Sequence, residues 1–423
     1  MFKRSFFVIV SAVLPAVLFA QVAGYRATYF VDGNVEKDQY RSHVSLESLE
    51  AGSSAVYATN GVHLVLTRMR INKTSGSISD ADRRETGKNS VLLADGGSTL
   101  TVEFCEINSH AAQADGVSAS GEGTKVTLQE GTVSTSRNGA AAVNATNKSK
   151  IIVQKTTVNT YSNQSPAFYA CKDGMVEVTE AKGENTGQAA PSFFVSAGAI
   201  KAEKCDLSSA KWTICNLDEG QLELTDNKLK AGSVCGFLIY GAVGKQMERR
   251  STGTLVLNKN EITVTDGPLI FITNAAGTVS LSRNKITCKN DEIISGKADE
   301  WGPRTYNQGD AAIDLEKQTL NGDIYVDSIS SLVLTLKKSA KLNGRITGDA
   351  TDRRDVKVFM RKGAKWNLKG ECYISSISFE QPLEKGLKQL KGKHVIYYDP
   401  DVDTELGGKE YKTGGGVLRP MIK

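Results

Sequence analysis

Apolar residues recur along the chain in one short pattern: apolar, any, apolar, two of any kind, a short corner residue, any, apolar. Leu222, Leu224, Asn227 and Leu229 give the clearest copy. Leu255, Leu257, Asn260 and Ile262 repeat it, as do Val279, Leu281, Asn284 and Ile286. Towards the N-terminus the copies run through Ile200 and Cys205, Val176 and Ala181, Ile151 and Thr156, Val126 and Gly131, Leu100 and Cys105, and Leu64 and Met69. The alternation has the period of a strand, not of a helix. Corner positions fall roughly 22 to 26 residues apart where nothing is inserted, a spacing characteristic of repeat architectures. One unit of that length cannot bury its own apolar face and must stack on its neighbours. Strands separated by a full coil run parallel, because a tight hairpin joins only antiparallel ones. The pattern therefore predicts an all-β parallel β-helix of about 12 coils.

A second strand set, one per coil, precedes the first; Ala167 to Ala170, Ser192 to Val195, Gly236 to Tyr240 and Pro268 to Ile272 are examples. Phe168, Phe193, Phe194, Phe237 and Phe271 recur in it and predict an internal stack of aromatic side chains. Asn227, Asn260 and Asn284 at one corner predict a structural ladder. Asn suits such a corner because it tolerates left-handed backbone and satisfies turn groups.

The pattern divides the chain into coils over residues 55–378, an N-terminal cap over 21–54 and C-terminal cap strands over 379–423. Three insertions break the period. Lys73 to Asn89, with Asp80, Asp82, Arg83, Arg84 and Glu85, is expected as an exposed polar loop; Gly241 to Gly253 carries Lys245, Glu248, Arg249 and Arg250. Lys289 to Asp310 holds Asp299, Glu300, Trp301, Arg304 and Tyr306. Loops on a rigid scaffold are favoured places for binding, and an aromatic beside carboxylates can stack on a sugar ring while the charged groups bond its hydroxyls. Trp301, Tyr306, Asp299 and Glu300 are accordingly the candidate binding residues.

Composition narrows the function. Residues 1–20 carry Lys3 and Arg4, an apolar run and a small-residue end, which predicts a signal peptide and an exported protein at the cell surface or beyond it. No transmembrane span is expected in the mature chain. Loss of Lys3 and Arg4 leaves 50 basic against 47 acidic residues, too even to argue for nucleic acid. The seven cysteines fall mostly one per coil without any CxxC, which favours buried thiols over a disulfide framework. The four histidines pair with no cysteine at zinc-ligand spacing, so no metal centre is expected.

Coil length, apolar register and the Asn corner together resemble the right-handed parallel β-helix group of secreted proteins that includes pectate lyases, polygalacturonases and the passenger regions of bacterial adhesins. Gly363 to Gly370, with Trp366 and Leu368, is similar to the last coils of adhesin passengers. The resemblance implies fold far more than activity, since the fold hosts enzymes and adhesins alike. The polygalacturonase-like pattern of clustered aspartates with Gly-His-Gly is not found. A hydrolase or lyase reading leaves Arg304, Asp310 and Asp314 as the residues to test, and a lyase would bring calcium as cofactor. Asp95, Asp173 and Asp218 occupy similar turns but lack an unbroken acidic series between them. The expectation is a non-enzymatic binding protein of adhesin type for a glycan or surface protein, with no cofactor. The alternatives are a polysaccharide lyase or hydrolase, and a structural surface-layer protein.

Overall fold

The structure, a computed structural model, describes residues 20–22, 25–241, 251–299, 307–349 and 355–422. The signal-peptide expectation falls on residues outside these, apart from Ala20. The chain winds as a right-handed parallel β-solenoid of about 15 turns. Each coil has three faces. Face C, the second strand set, comes first, as in Phe237–Tyr240. Face A carries the apolar, any, apolar triplet, as in Ser251–Asn258. Face B follows the corner, as in Glu261–Val264. Among the described residues two pairings are antiparallel, one at each end of the chain: residues 20–22 with 25–27, and 411–412 with 417–418.

The inward positions are aliphatic in nearly every coil: Leu64, Leu100, Val126, Ile151, Val176, Ile200, Leu222, Leu255, Val279 and Ile313 form one register column, each at most 1 % exposed. Burying such a side chain contributes about 1.5–3 kcal/mol, and the column repeats that gain at every turn. The coil count exceeds the expectation because both expected caps are themselves coils. Tyr25–Asp32, Asp38–Ser42 and Ser45–Ser48 pair in parallel with the next coil on all three faces. At the other end Leu390–Lys391, Val395–Tyr398 and Val417–Pro420 continue the winding. Gln39 and Arg41 occupy the inward positions opposite Leu64 and Leu66, and the Arg41 guanidinium lies 4.6 Å from the Tyr29 ring centre. Charged groups pointing inward at an edge discourage further strand addition. At the C-terminal end the Asp403 carboxylate accepts the Ile377 N–H at 2.9 Å.

The corner turn differs from expectation in one respect. The left-handed residue is the one before the corner: Asp226, Lys259 and Arg283 have φ of 57°, 57° and 56°. The asparagines that follow serve through their amides. Asn227, Asn260 and Asn284 form the predicted ladder, and Gln318 extends it by one coil.

The aromatic residues also divide. Phe168 and Phe193 are internal and stack with centroids 5.7 Å apart, and Phe237 is internal as well. Phe194 and Phe271 lie in the outward register column with Tyr169 and Leu238, so three of the five are internal and two of them stack, with Cys215 between Phe193 and Phe237. Successive strand residues alternate faces, and Phe194 follows Phe193 directly. All seven cysteines are free, and all but the half-buried Cys288 are buried.

Face B carries a second inward column that is polar at its N-terminal end: Ser48, Lys73, Ser109, Thr135, Thr160, Asn185 and Ser209. Most of these side chains satisfy turn carbonyls, as Ser109 does with Ala114. Lys73 is wholly buried; its ammonium donates to the Glu50 and Ser53 carbonyls at 2.8 and 2.9 Å. Burial lowers its pKa from 10.5 to about 8. A neutral amine still has two N–H donors, one for each carbonyl. The unfolded chain keeps the proton up to about pH 10.4, so between about 8 and 10.4 the unfolded state binds more protons and stability rises with pH, by about 3 kcal/mol across the window. Urea unfolding at pH 7.5, 9 and 10.5 should reveal that rise, and Lys73→Met should flatten it.

Candidate functional site

The roots of all three insertions lie at face C. The first insertion enters face C at Leu92, while the second and third leave it after Tyr240 and Gly296. All three therefore border this one face. The third is shorter than the sequence suggests, because Glu292–Gly296 is a face C strand, with a register shift against the next coil between Glu292 and Ile294.

The first insertion is not an exposed loop. Asp80–Thr86 forms a helix, α1, capped by Ser79, whose Oγ accepts the Asp82 N–H, and ended by left-handed Gly87. Asp80 and Asp82 in its first turn favour the helix dipole. Arg83 points into face C and is 4 % exposed. Its Nη1 donates to Oδ1 of wholly buried Asp115 at 2.7 Å. The same carboxylate accepts the Ala141 N–H at 2.7 Å and the Asn144 Nδ2 at 2.8 Å. Asn147 Nδ2 donates to the Glu85 carbonyl, and Cys171 packs against the Arg84 carbonyl. Tyr169 and Cys171 are thus covered, and burial raises both pKa values. The covered thiol stays protonated and is a poor nucleophile.

Beyond α1 the outward column continues as Tyr169, Phe194, Asn216, Leu238, Phe271, Ser295 and Tyr325, one residue per coil. Six coil spacings make this strip about 29 Å long. Phe194, Phe271 and Tyr325 are half-buried, leaving ring surface at the solvent. Tyr169 and Phe194 rings are 4.9 Å apart. Half-buried Trp212 donates its indole N–H to Asn216 Oδ1 at 3.2 Å. The Lys297 ammonium lies 5.5 Å from the Phe271 ring centre and 5.7 Å from that of Tyr325. Beside this column, Asp218 accepts from Ser196 and Ser251 hydroxyls, and Tyr240 has its pKa raised by burial and then by Asp218. A groove of 470 Å³ opens along the border with face A, lined by Asp173, Glu219, Gln221, Thr252 and Thr254 among others.

Of the sequence candidates, Glu300, Trp301, Arg304 and Tyr306 lie outside the described residues, as do Lys245, Glu248, Arg249 and Arg250. Asp299 is half-buried, two residues after Lys297. Asp310 and Asp314 lie on one strand, four residues and about 13 Å apart, beyond the separation that a pair of glycosidase carboxylates uses. Each is engaged: Asp310 accepts the Ser331 N–H at 2.9 Å, and Asp314 accepts from Lys337 at 2.6 Å. For the calcium-lyase alternative, no group of three or more His, Cys, Asp or Glu converges among the described residues. The sequence did not single out Trp212, Lys297, Tyr325 or the Arg83–Asp115 pair. Alternation places Tyr325 outward, but no local pattern pairs Arg83 with a residue one coil further on.

Compared with protein-family models, with curated proteins and with solved structures, the chain matches none.

Proposed function

We propose that this chain is a non-enzymatic binding protein of adhesin type, exported to a surface or the medium, that holds an extended glycan along the outer side of face C. The observation that carries the reading is the register column of half-buried rings, Phe194, Phe271 and Tyr325, set at multiples of one coil spacing, with the Lys297 ammonium over two of them. Aromatic faces stack on the apolar faces of sugar rings, while the Lys297 ammonium offers hydrogen bonds to hydroxyls. A rigid solenoid holds these groups in place before the ligand arrives, which lowers the ordering cost of binding.

A polysaccharide-binding panel on the full chain tests this, run beside a depolymerisation assay. Phe271→Ala should weaken binding about tenfold, the loss of roughly 1.4 kcal/mol of stacking, with little change in Tm because the ring is half at the surface. Release of reducing or unsaturated sugar ends by the wild-type chain would replace the reading with the enzymatic alternative. Equal binding by Phe271→Ala would remove the strip from it.

A further inference from the structure

Two neighbouring coils of the same strip carry polar atoms that the fold leaves without partners. The Thr273 and Ser295 hydroxyls and Asn274 Oδ1 are fully buried and make no hydrogen bond. Unmet buried polar groups are rare in folded chains and call for a reason. Ser295 lies between Phe271 and Tyr325 in the outward column. Lys297 stands two residues beyond Ser295 and beside Thr273, its N–H bonded to the Ile272 carbonyl at 3.1 Å. Among the described residues no carboxylate pairs with Lys297; its ammonium rests over the two rings alone. The nearest acid in register, Asp327, is occupied by the N–H groups of Ala298, Ile329 and Ser330. The surroundings are also held in place, because Asn274, at φ 52°, donates its N–H to Asn307 and its Nδ2 to Gly241. One residue thereby ties the roots of the second and third insertions together beside the orphaned hydroxyls.

We propose that Thr273, Ser295 and Lys297 form an oxyanion pocket for a tetrahedral ester, the sulfate or phosphate group of a sugar whose ring lies against Phe271 or Tyr325. This rests on the glycan-binding reading and specifies its ligand class. Three donors rising from two coils match the three terminal oxygens of the ester, one donor to each oxygen. Both hydroxyls are closed to solvent. On this proposal binding turns the flexible Lys297 ammonium from the two rings towards the anion.

The test measures binding of the full chain to dextran sulfate, dextran phosphate and unmodified dextran, and to chondroitin with and without its sulfate. Sulfated or phosphorylated polymer should bind at least about tenfold tighter than its unmodified counterpart, and the two dextran esters show which ester is preferred. Lys297→Gln should abolish that preference, while Lys230→Gln, an equal change of charge on exposed face B, should not. Thr273→Val should reduce the preference about fivefold while keeping or raising Tm, because it removes an unsatisfied buried hydroxyl. The pocket is refuted if the Lys297 and Lys230 variants behave alike, or if unsulfated chondroitin binds as tightly as the sulfate. If Phe271→Ala still weakens binding of unmodified polymer in that case, the glycan strip stands without the pocket; if no polymer binds, both readings fail.

Discussion

Replacing Asp115 with alanine is expected to lower stability by about 3–5 kcal/mol, the cost of leaving a buried charge without its counterion. The size follows from what the carboxylate holds. Asp115 is wholly buried and accepts from Arg83, Ala141 and Asn144 at 2.7–2.8 Å and from the Ser118 hydroxyl at 3.3 Å, so its removal takes the acceptor from four donors at once. The helix that carries Arg83 has seven residues, too few to persist without docking. Loss of the pair should therefore free α1 before the solenoid itself unwinds. Cys171, which packs against the Arg84 carbonyl, reports on that step. Thermal unfolding should show the drop in stability, and a thiol reagent should label Cys171 faster in Asp115→Ala than in the wild type. A double variant, Arg83→Met with Asp115→Leu, should recover part of the loss, since removing both charges avoids the uncompensated one. If the double variant costs the sum of the single ones, the ion pair is not what holds the helix.

The same contrast separates what was legible in the sequence from what was not. Leu222, Leu224 and Leu229 announce a coil because strand alternation and stacking are periodic, and periodic features survive translation from coil to coil. The Asn ladder was legible for that reason, and so was the burial of the cysteines. The expected N-terminal cap does not read as a coil because its inward positions carry Gln39 and Arg41, residues that end a core and so break its apolar signature. α1 was missed because its charges read as solvent-facing, whereas Arg83 meets Asp115 at a separation of 32 residues. The strip on face C was half legible. Phe194 and Phe271 were visible as recurring aromatics, but their orientation depends on register, and a one-residue step reverses it. Lys297 and the orphaned hydroxyls of Thr273 and Ser295 have no sequence signature at all, since their significance lies in what they fail to touch.

Asn260→Ala should cost about 2–4 kcal/mol, more than a typical surface corner, because each amide in the ladder serves its neighbours on both sides. Asn260 Oδ1 accepts the Asn227 N–H and Nδ2 at 2.9 Å each, while its own Nδ2 donates to the Leu224 carbonyl and to Asn284 Oδ1 at 2.9 and 3.0 Å. Alanine leaves the Asn227 donors without their acceptor and takes one donor from the buried Leu224 carbonyl. Asn260→Asp separates the two halves of that role. The introduced carboxylate still accepts from Asn227, but it faces the Leu224 carbonyl and Asn284 Oδ1, both acceptors, in a site only 1 % exposed. Burial against acceptors favours the protonated acid, so the folded-state pKa of the introduced carboxyl lies above its unfolded value near 3.9. A raised pKa means that stability is fully present below the unfolded value and is lost as pH rises through the folded one. Asn260→Asp should therefore approach wild-type stability in acid and fall behind it as the pH climbs to neutrality, whereas Asn260→Ala should show a deficit that does not vary with pH. Urea unfolding of both variants at pH 4 and pH 7.5 distinguishes the cases. Parallel pH profiles would mean that the Asn260 side chain fills space in the corner without bonding its neighbours.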